Sequence, residues 1–441
     1  MPAREIKWLL DELPGLVESG VLTPVDAERM RAHYLALPEK RRMPVAIVLL
    51  AVLGALCTGL GIILILANNW EQLSRPVRAV IAFMPLVAAQ ALAVYTLLRR
   101  PGSQAMREGI GAFLVVSVAA AIALIGQTYN VPGSLSGFCF TWLWLVLPVG
   151  YLLQAVVPTG LYIAIVVGWA IASQMDGQRG VYFYPLMLLA VPHLAMEWRR
   201  DRYSARSVLL GWLLCAGLAA GTGVSLVRSL PGLWVIIYAS LFATMYLAGL
   251  QWQSGWQGIW RRPFHTFGAA ATGILALLLS FRWPWREIGW HYYRTWYYPH
   301  EFHVLEDYIL AIALPLVAAA LLLRLALRGR PGAFLYGSSF IVAAAGYALA
   351  SEAGAELPLT LYNLYVLVLG VGTLAVGIRS GRLAVVNGGM FMIAALIVLR
   401  FFDSDIDFIV RGVAFIVLGL CFIGTNIALW RRGQRNHGEA A

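Results

Sequence analysis

Long apolar runs alternate with short polar breaks from about residue 45 to near the end of the chain. A helix needs about 20 apolar residues to cross the hydrocarbon core of a bilayer. By that length we count roughly fourteen candidate spans, which predicts an all-α, polytopic transmembrane helical bundle. The spans are predicted at residues 46–67, 77–97, 109–127, 138–154, 158–175, 181–197, 208–228, 232–250, 264–281, 308–327, 332–351, 359–378, 383–400 and 408–429.

The fourth to sixth of these spans, residues 138–197, are short and contain several prolines, Pro148, Pro158, Pro185 and Pro192. Proline removes a backbone donor and interrupts a helix interior. One segment of this region is therefore open to a re-entrant interpretation, which would change the number of spans.

Residues 1–43 have a different pattern, in which apolar residues recur at helical spacing among many charges. Ser19-Gly20 is expected to end a first helix. Thr23 is an expected N-cap for a second helix, with Pro24 at its first position. The pattern predicts a small helical hairpin at the head of the chain.

The head, residues 1–43, is followed by a predicted membrane domain, residues 44–432, and a short tail, residues 433–441. A two-helix hairpin buries too little surface to be stable alone. We therefore expect the head to pack on the membrane domain, on a second copy in a homo-oligomer, or on a cytoplasmic protein partner.

Composition and charge support a membrane location. The chain is 60% hydrophobic and 12% charged, whereas soluble domains carry about 25% charged residues.

The formal net charge is +11, and most basic residues stand at the ends of apolar runs. Such a bias predicts that both termini are cytoplasmic and that the number of spans is even. Because the basic residues do not gather on a soluble face, no nucleic-acid partner is expected.

The stretch RFFDSDIDFIVRG, residues 400–412, places five charges around the junction of the last two predicted spans. Asp407 and Arg411 are four residues apart, so they can pair on one face of a helix. Arg400 can pair with Asp403 across the turn. One interpretation is a salt-bridged helical hairpin at the membrane surface. The other is a site for an ion, a proton or an anionic headgroup.

Two further polar breaks are predicted to face the same, outer side. They contain Asn69 and Trp70 in ANNWEQLSRP and Gln127 and Tyr129 in LIGQTYNVPGS. Each is explained by an interfacial turn, with Trp70 as an anchor. The alternative is that these turns converge with Arg400, Asp403, Asp407 and Arg411 on one outward-facing, substrate-binding pocket.

His193 is the one histidine that lies well inside a predicted span. Such a side chain is usually hydrogen-bonded to a neighbouring helix, and a role in a proton relay is the alternative. No Walker, GxSxG, HExxH or dinucleotide-binding motif is present. We therefore predict no catalytic residue, no metal site and no cofactor.

Several stretches together resemble a bacterial family of predicted inner-membrane proteins with a domain of unknown function (DUF2157). They are GVLTPVDAERMRAHY, GIILILANNWEQLSR, LIGQTYNVPGS and RFFDSDIDFIVRGVAFIVLG. The resemblance implies a bacterial inner-membrane location and a cytoplasmic helical head followed by many spans. It carries no assigned activity. The residues that match the family pattern are Asn69, Trp70, Gln127, Tyr129, Arg400, Phe402, Asp403, Arg411 and Gly412.

Three functional hypotheses follow. The first is a gradient-driven transporter or a lipid- or glycan-handling protein, with membrane lipids as partners and the outward pocket as its site. The second is a non-catalytic scaffold or sensor that acts through the head. The third is a membrane-embedded transferase that acts on lipid-linked sugars.

Overall fold

The computed structural model describes residues 3–36, 70–177, 182–226, 232–253, 258–286 and 305–403, with a few isolated positions besides. The chain divides into two compact units, Met1–Arg78 and Ala79–Ala441. The regular elements of the described ranges are helices, and no strand occurs among them. The predicted all-α class is confirmed.

The first unit begins with the predicted helical hairpin. Helix α1 spans Ala3–Glu18 and α2 spans Pro24–Ala36. Gly20 follows α1 with a positive φ of 74°, as expected for a helix end. The Thr23 hydroxyl oxygen accepts a hydrogen bond of 3.2 Å from the Asp26 N–H, so it caps α2 as predicted. The predicted boundary at residue 43 lies outside the described residues.

The helices beyond the head follow one another with short connections. They are α3 (Arg75–Arg99), α4 (Gln104–Thr128), α5 (Leu135–Leu153), α6 (Val156–Met175), α7 (Phe183–Leu188), α8 (Val191–Arg200), α9 (Ala205–Ser225), α10 (Leu233–Trp252), α11 (Pro263–Leu279), α12 (Trp283–Arg286), α13 (Leu305–Leu327), α14 (Ala333–Gly337), α15 (Ser339–Ala353), α16 (Glu356–Ser380) and α17 (Leu383–Asp403).

Ten helical segments in the described part of the chain are long and apolar enough to cross a membrane. They agree with the predicted spans over most of residues 77–175, 208–250 and 308–400. Helix α11, of 17 residues, is shorter. The predicted first span and nearly all of the last, residues 46–67 and 408–429, lie outside the described residues. The protein is therefore a membrane protein with many apolar helices, and the count of roughly fourteen spans stays a prediction.

The predicted span at residues 181–197 is not one continuous helix. It consists of α7 and α8, which are separated at Leu189 and Ala190. Pro192 occupies the first turn of α8, where its missing N–H leaves no donor unsatisfied. The same proline placed inside a longer helix would remove a hydrogen bond and clash with the preceding turn, so the chain breaks here.

Connections rich in arginine are gathered at one end of the second unit, which we call the basic end. Arg107 Nη1 donates to the Leu153 carbonyl at 3.4 Å, and Arg202 Nη1 donates to the Trp252 carbonyl at 3.1 Å. Arg330 Nη1 donates to the Leu250 carbonyl at 2.8 Å. These bonds join the turns that the charge bias assigns to the cytoplasm.

Glycines bring two helix pairs into backbone contact near the basic end. A Cβ atom at Gly268 of α11 would lie 2.4 Å from the Tyr246 nitrogen of α10. A Cβ atom at Gly377 of α16 would lie 2.6 Å from the Val386 nitrogen of α17. Small residues permit such close crossings in membrane helices. Helix α11 is thus held to α10 and α17 to α16, which leaves a groove between α11 and α17.

Candidate functional site

Arg400, in the described part of the stretch at residues 400–412, makes a contact that the sequence did not predict. Arg400, near the end of α17, donates to the Ser280 carbonyl at 2.6 Å. Its guanidinium carbon also lies 5.0 Å from the centre of the Phe281 ring. A cation at the C-terminal end of α11 is electrostatically favourable. Arg400 therefore ties α17 to α11.

Asp403, Asp407 and Arg411 are the other charges of this stretch that were assigned to the predicted pocket. Asp403 is the last residue of α17. Its side chain, and the whole of Asp407 and Arg411, lie outside the described residues. The predicted pairings of these acids stay predictions.

The two turns that were predicted to face outward are local structures at the ends of their own helices. Gln127 is exposed in the last turn of α4, and Tyr129 is the C-cap of that helix and half exposed. Trp70 lies in a short 3₁₀ turn, with the Arg78 guanidinium carbon 6.0 Å from its ring centre. Asn69 lies outside the described residues, so the convergence of these turns on one pocket also stays a prediction.

His193 of α8 is buried, with 1% of its surface exposed. Its Nδ1 lies 2.5 Å from the Thr159 hydroxyl of α6, which is the interhelical hydrogen bond expected of a histidine in this setting. Its Nε2 lies 3.9 Å from Glu197 Oε1. The predicted proton-relay role is not tested by this geometry.

Glu197 is the centre of a charged network at the basic end. Its side chain is 4% exposed, and Oε1 lies 3.2 Å from Arg206 Nη2 and 3.5 Å from Arg200 Nη1. Arg206 also donates to the Gln154 carbonyl. Gln154 has a positive φ of 49°, a conformation that non-glycine residues rarely adopt. The network therefore holds the turn between α5 and α6 against α8 and α9.

Glu108 of α4 completes the network. Its carboxylate accepts hydrogen bonds from the Val156 and Val157 N–H groups at 3.1 and 2.8 Å. These are free donors of the first turn of α6, where an acidic group is favourable. Arg206 Nε lies 3.5 Å from the same carboxylate. Each acid in the network has a basic partner, so the arrangement is structural.

A large cavity lies among α3, α4 and α5. Its volume is about 1060 Å³, and its lining includes Phe83, Leu86, Phe138, Leu145 and Leu152. The turn at residues 131–134, part of the predicted outer motif, also lines it. Few polar groups face this space, so it offers apolar contact and little to select one ligand over another.

The groove between α11 and α17, which we call the arginine groove, has a different character. Its volume is about 550 Å³. At the basic end it is lined by three arginines from three different turns, Arg262, Arg330 and Arg382. Among the described residues that line it, none is an aspartate or a glutamate. The described lining of the groove therefore contributes more basic than acidic side chains.

Arg262 is the least exposed of the three arginines. It is the N-cap residue of α11 and is 8% exposed. Its Nε–H has no hydrogen-bond acceptor in the described part of the chain. Burial lowers the pKa of the guanidinium below its usual range, and the nearby charge of Arg382 adds to this effect. A buried donor without an acceptor is costly, and an anion in the groove would remove that cost.

The other end of the groove is apolar and open on one side. It is lined by Gly273, Ile274 and Leu277 of α11 and by Phe391 and Met392 of α17. Ile274 is 69% exposed and Phe391 is 70% exposed. Both belong to apolar helices, so this side of the groove is suited to contact with lipid chains.

Sequence reasoning assigned the three groove arginines only to topology, because each stands next to an apolar run. It also missed Glu108 and Glu197. A usable signal was present for the acids, since both are placed among the arginines of predicted cytoplasmic turns. No comparable signal distinguishes Arg262 from its neighbour Arg261, because the difference in burial arises from the packing of α10 against α11.

Comparison with protein-family models gives a match over part of the chain. The model of a family described as predicted membrane protein (DUF2157) matches residues 14–158. The predicted resemblance is confirmed over that segment, which extends from α1 into the first turn of α6. The groove arginines and the stretch at residues 400–412 lie beyond it. No curated protein and no solved structure matches the chain.

Proposed function

We propose that this protein is a lipid-handling protein of the bacterial inner membrane that holds an anionic lipid in the arginine groove. One observation carries the proposal. The groove is cationic at the basic end, apolar along α11 and α17, and open on the apolar side. A lipid with an anionic headgroup has the same distribution of charge and apolar surface along its length.

The charge bias supports a location of the groove arginines at the cytoplasmic surface. Arginines are enriched in cytoplasmic connections, and the three groove arginines belong to such connections. The cytoplasmic leaflet also carries anionic lipids, and basic pockets between membrane helices on this side bind their headgroups. In the proposed orientation the headgroup lies at the cytoplasmic surface and the chains extend along α11 and α17 towards the bilayer centre.

The proposal selects lipid handling from the functions expected from sequence. A gradient-driven transport step would require the outward-facing pocket as well, and that pocket stays a separate prediction. Binding in the arginine groove needs only described residues. Its energetic basis is the pairing of guanidinium groups with phosphate, which is among the strongest polar contacts in proteins.

Native mass spectrometry of the full-length protein in a mild detergent tests this function. We expect the wild-type protein to retain an anionic lipid from the membrane, and Arg262→Gln to lose most of that occupancy. Arg261→Gln is the matched control, because Arg261 is the adjacent residue but is exposed and does not line the groove. Equal retention by both variants and the wild type would refute the proposed function.

A further inference from the structure

We infer that Gln253 is a further binding residue for the headgroup, and that its side-chain amide and Arg262 together hold one phosphate group at the N-terminal end of α11. The inference rests on the proposed function and specifies where in the arginine groove the phosphate of the lipid lies. It is carried by two buried hydrogen-bond donors that have no acceptor and that both lie at the first turn of α11.

Gln253 is the C-cap residue of α10 and lies beside the basic end of the groove. Tyr246 and Leu250 line the groove from α10, and Gln253 stands three residues beyond Leu250, near the same face of the helix. Its side-chain Oε1 accepts a hydrogen bond of 3.5 Å from the N–H of His265 in the first turn of α11. His265 itself lines the groove. The Gln253 side chain therefore bridges the end of α10 and the start of α11.

The amide nitrogen of Gln253 is a buried donor without an acceptor. Gln253 is 1% exposed, and its Nε2 has no hydrogen-bond partner in the described part of the chain. Because Oε1 of the same amide bonds to the backbone of α11, Nε2 also lies at the first turn of that helix. An unsatisfied buried donor is costly, so this position favours an occupant that accepts hydrogen bonds.

Arg262 brings a second donor of this kind, and a positive charge, to the same turn. It is the N-cap residue of α11, and its Nε–H is buried without an acceptor among the described residues. The N-terminal end of a helix also favours an anion. A buried water would accept from both donors, but it would bring no negative charge to the guanidinium. A phosphate satisfies both donors and the charge.

The test is a titration of the full-length protein in detergent with dioleoyl phosphatidylglycerol, measured by native mass spectrometry. Gln253→Glu is the main variant, because it keeps an oxygen for the His265 N–H and replaces the donating amide nitrogen by a carboxylate oxygen. Repulsion between this carboxylate and the phosphate is expected to weaken binding more than about tenfold.

Gln251→Glu is the matched control for the added charge. Gln251 lies two residues away and accepts a hydrogen bond from Arg328, and it does not line the groove. We expect this variant to bind phosphatidylglycerol with nearly the wild-type affinity. An equal loss of affinity in Gln251→Glu and Gln253→Glu would show a general effect of charge at the basic end and would overturn the inference.

A double-variant cycle separates binding of one phosphate from an effect on packing. Gln253→Met removes the donor with little change in side-chain length, and it is expected to weaken binding about tenfold. If both donors bind the same phosphate, Gln253→Met combined with Arg262→Gln should lose less affinity than the product of the two single losses. Losses that multiply would show that the two side chains act independently and would overturn the inference.

Inorganic phosphate distinguishes a lipid headgroup from a free anion as the occupant. It has no chains to contact the apolar side of the groove, so millimolar inorganic phosphate is expected not to displace phosphatidylglycerol from the wild-type protein. Displacement would assign the two donors to a soluble anion and would overturn the inference.

The remaining outcomes separate this inference from the proposed function. A loss of affinity in Arg262→Gln, but in neither Gln253 variant, would leave a lipid site and overturn the role of the amide. Affinity that responds to neither residue would refute both. If the Gln253 variants fail to fold, a structure of the wild-type protein with phosphatidylglycerol decides. We expect the phosphate within hydrogen-bond distance of Gln253 Nε2 and Arg262 Nε, and a phosphate that contacts Arg330 alone would overturn the inference.

Discussion

Removal of Arg206 is expected to destabilise the second unit far more than removal of Arg200, although both contact the same oxygen of Glu197. The Arg206 side chain is 27% exposed and the Arg200 side chain is 53% exposed. Glu197 itself is 4% exposed. Arg206→Ala would therefore leave the buried carboxylate with Arg200, a more exposed residue at 3.5 Å, as its remaining arginine partner.

The magnitude follows from the geometry. Two unit charges 3.2 Å apart attract by about 5 kcal/mol at an effective dielectric constant of about 20. Measured losses on removing one partner of a buried ion pair are about 3–5 kcal/mol. Because Arg206 is partly exposed, we expect a loss of about 3 kcal/mol in the free energy of unfolding. For Arg200→Ala we expect a loss below about 1 kcal/mol.

The assay is unfolding in mixed micelles with increasing sodium dodecyl sulfate, followed by circular dichroism at the helical bands. A third variant isolates the cause, because Glu197→Gln removes the charge that Arg206 compensates. The double variant, Arg206→Ala with Glu197→Gln, is expected to be more stable than Arg206→Ala alone. Similar small losses for both arginine variants, or no rescue in the double variant, would refute the role of the network.

Three further predictions concern packing, pH and capping. Gly268→Ala is expected to destabilise the protein by about 1–3 kcal/mol in the same unfolding assay, because the added Cβ atom would meet the α10 backbone. Gly388→Ala is the control, since no atom lies within 4 Å of the added Cβ, and its stability should be near that of the wild type. Hydrogen bonds from the Ser136 side chain and N–H lower the pKa of Asp176. The stabilisation from these hydrogen bonds should be complete above the ordinary aspartate pKa and should be lost as the pH falls through the lowered pKa of Asp176. This pH-dependent loss should be absent in Asp176→Asn. Thr23→Ala should lower the free energy of opening of α2 by about 1 kcal/mol, as measured by hydrogen exchange of that helix. Unchanged exchange in this variant would contradict the cap.

The length of the apolar runs was sufficient to predict most of the helices. The runs at residues 77–97 and 359–378 became α3 and α16 because a long apolar segment in a bilayer has to satisfy its backbone within a helix. The cap at Thr23 was also readable, since it depends on neighbouring residues only. The break between α7 and α8 was harder to predict from the sequence, because Pro185 and Pro192 have several permitted helical positions.

The candidate site was largely beyond the reach of sequence. Arg262 and Arg382 are far apart along the chain, and only the close packing of α11 on α10 and of α17 on α16 brings them to one groove. Arg400 was identified as a notable charge, but its contact with Ser280 spans 120 residues. A pattern of charges shows where a connection lies relative to the membrane, and it does not show which connections meet.

Photo-crosslinking would test the arginine groove as a lipid site most directly. The full-length protein in membranes would be exposed to a phosphatidic acid analogue with a diazirine in one chain, and the labelled residues identified by mass spectrometry. The account predicts labels concentrated at Ile274 and Phe391 over the similarly exposed Leu316 of α13, and a loss of that preference in Arg262→Gln but not in Arg261→Gln. Labelling in proportion to exposure alone, unchanged by Arg262→Gln, would contradict the account.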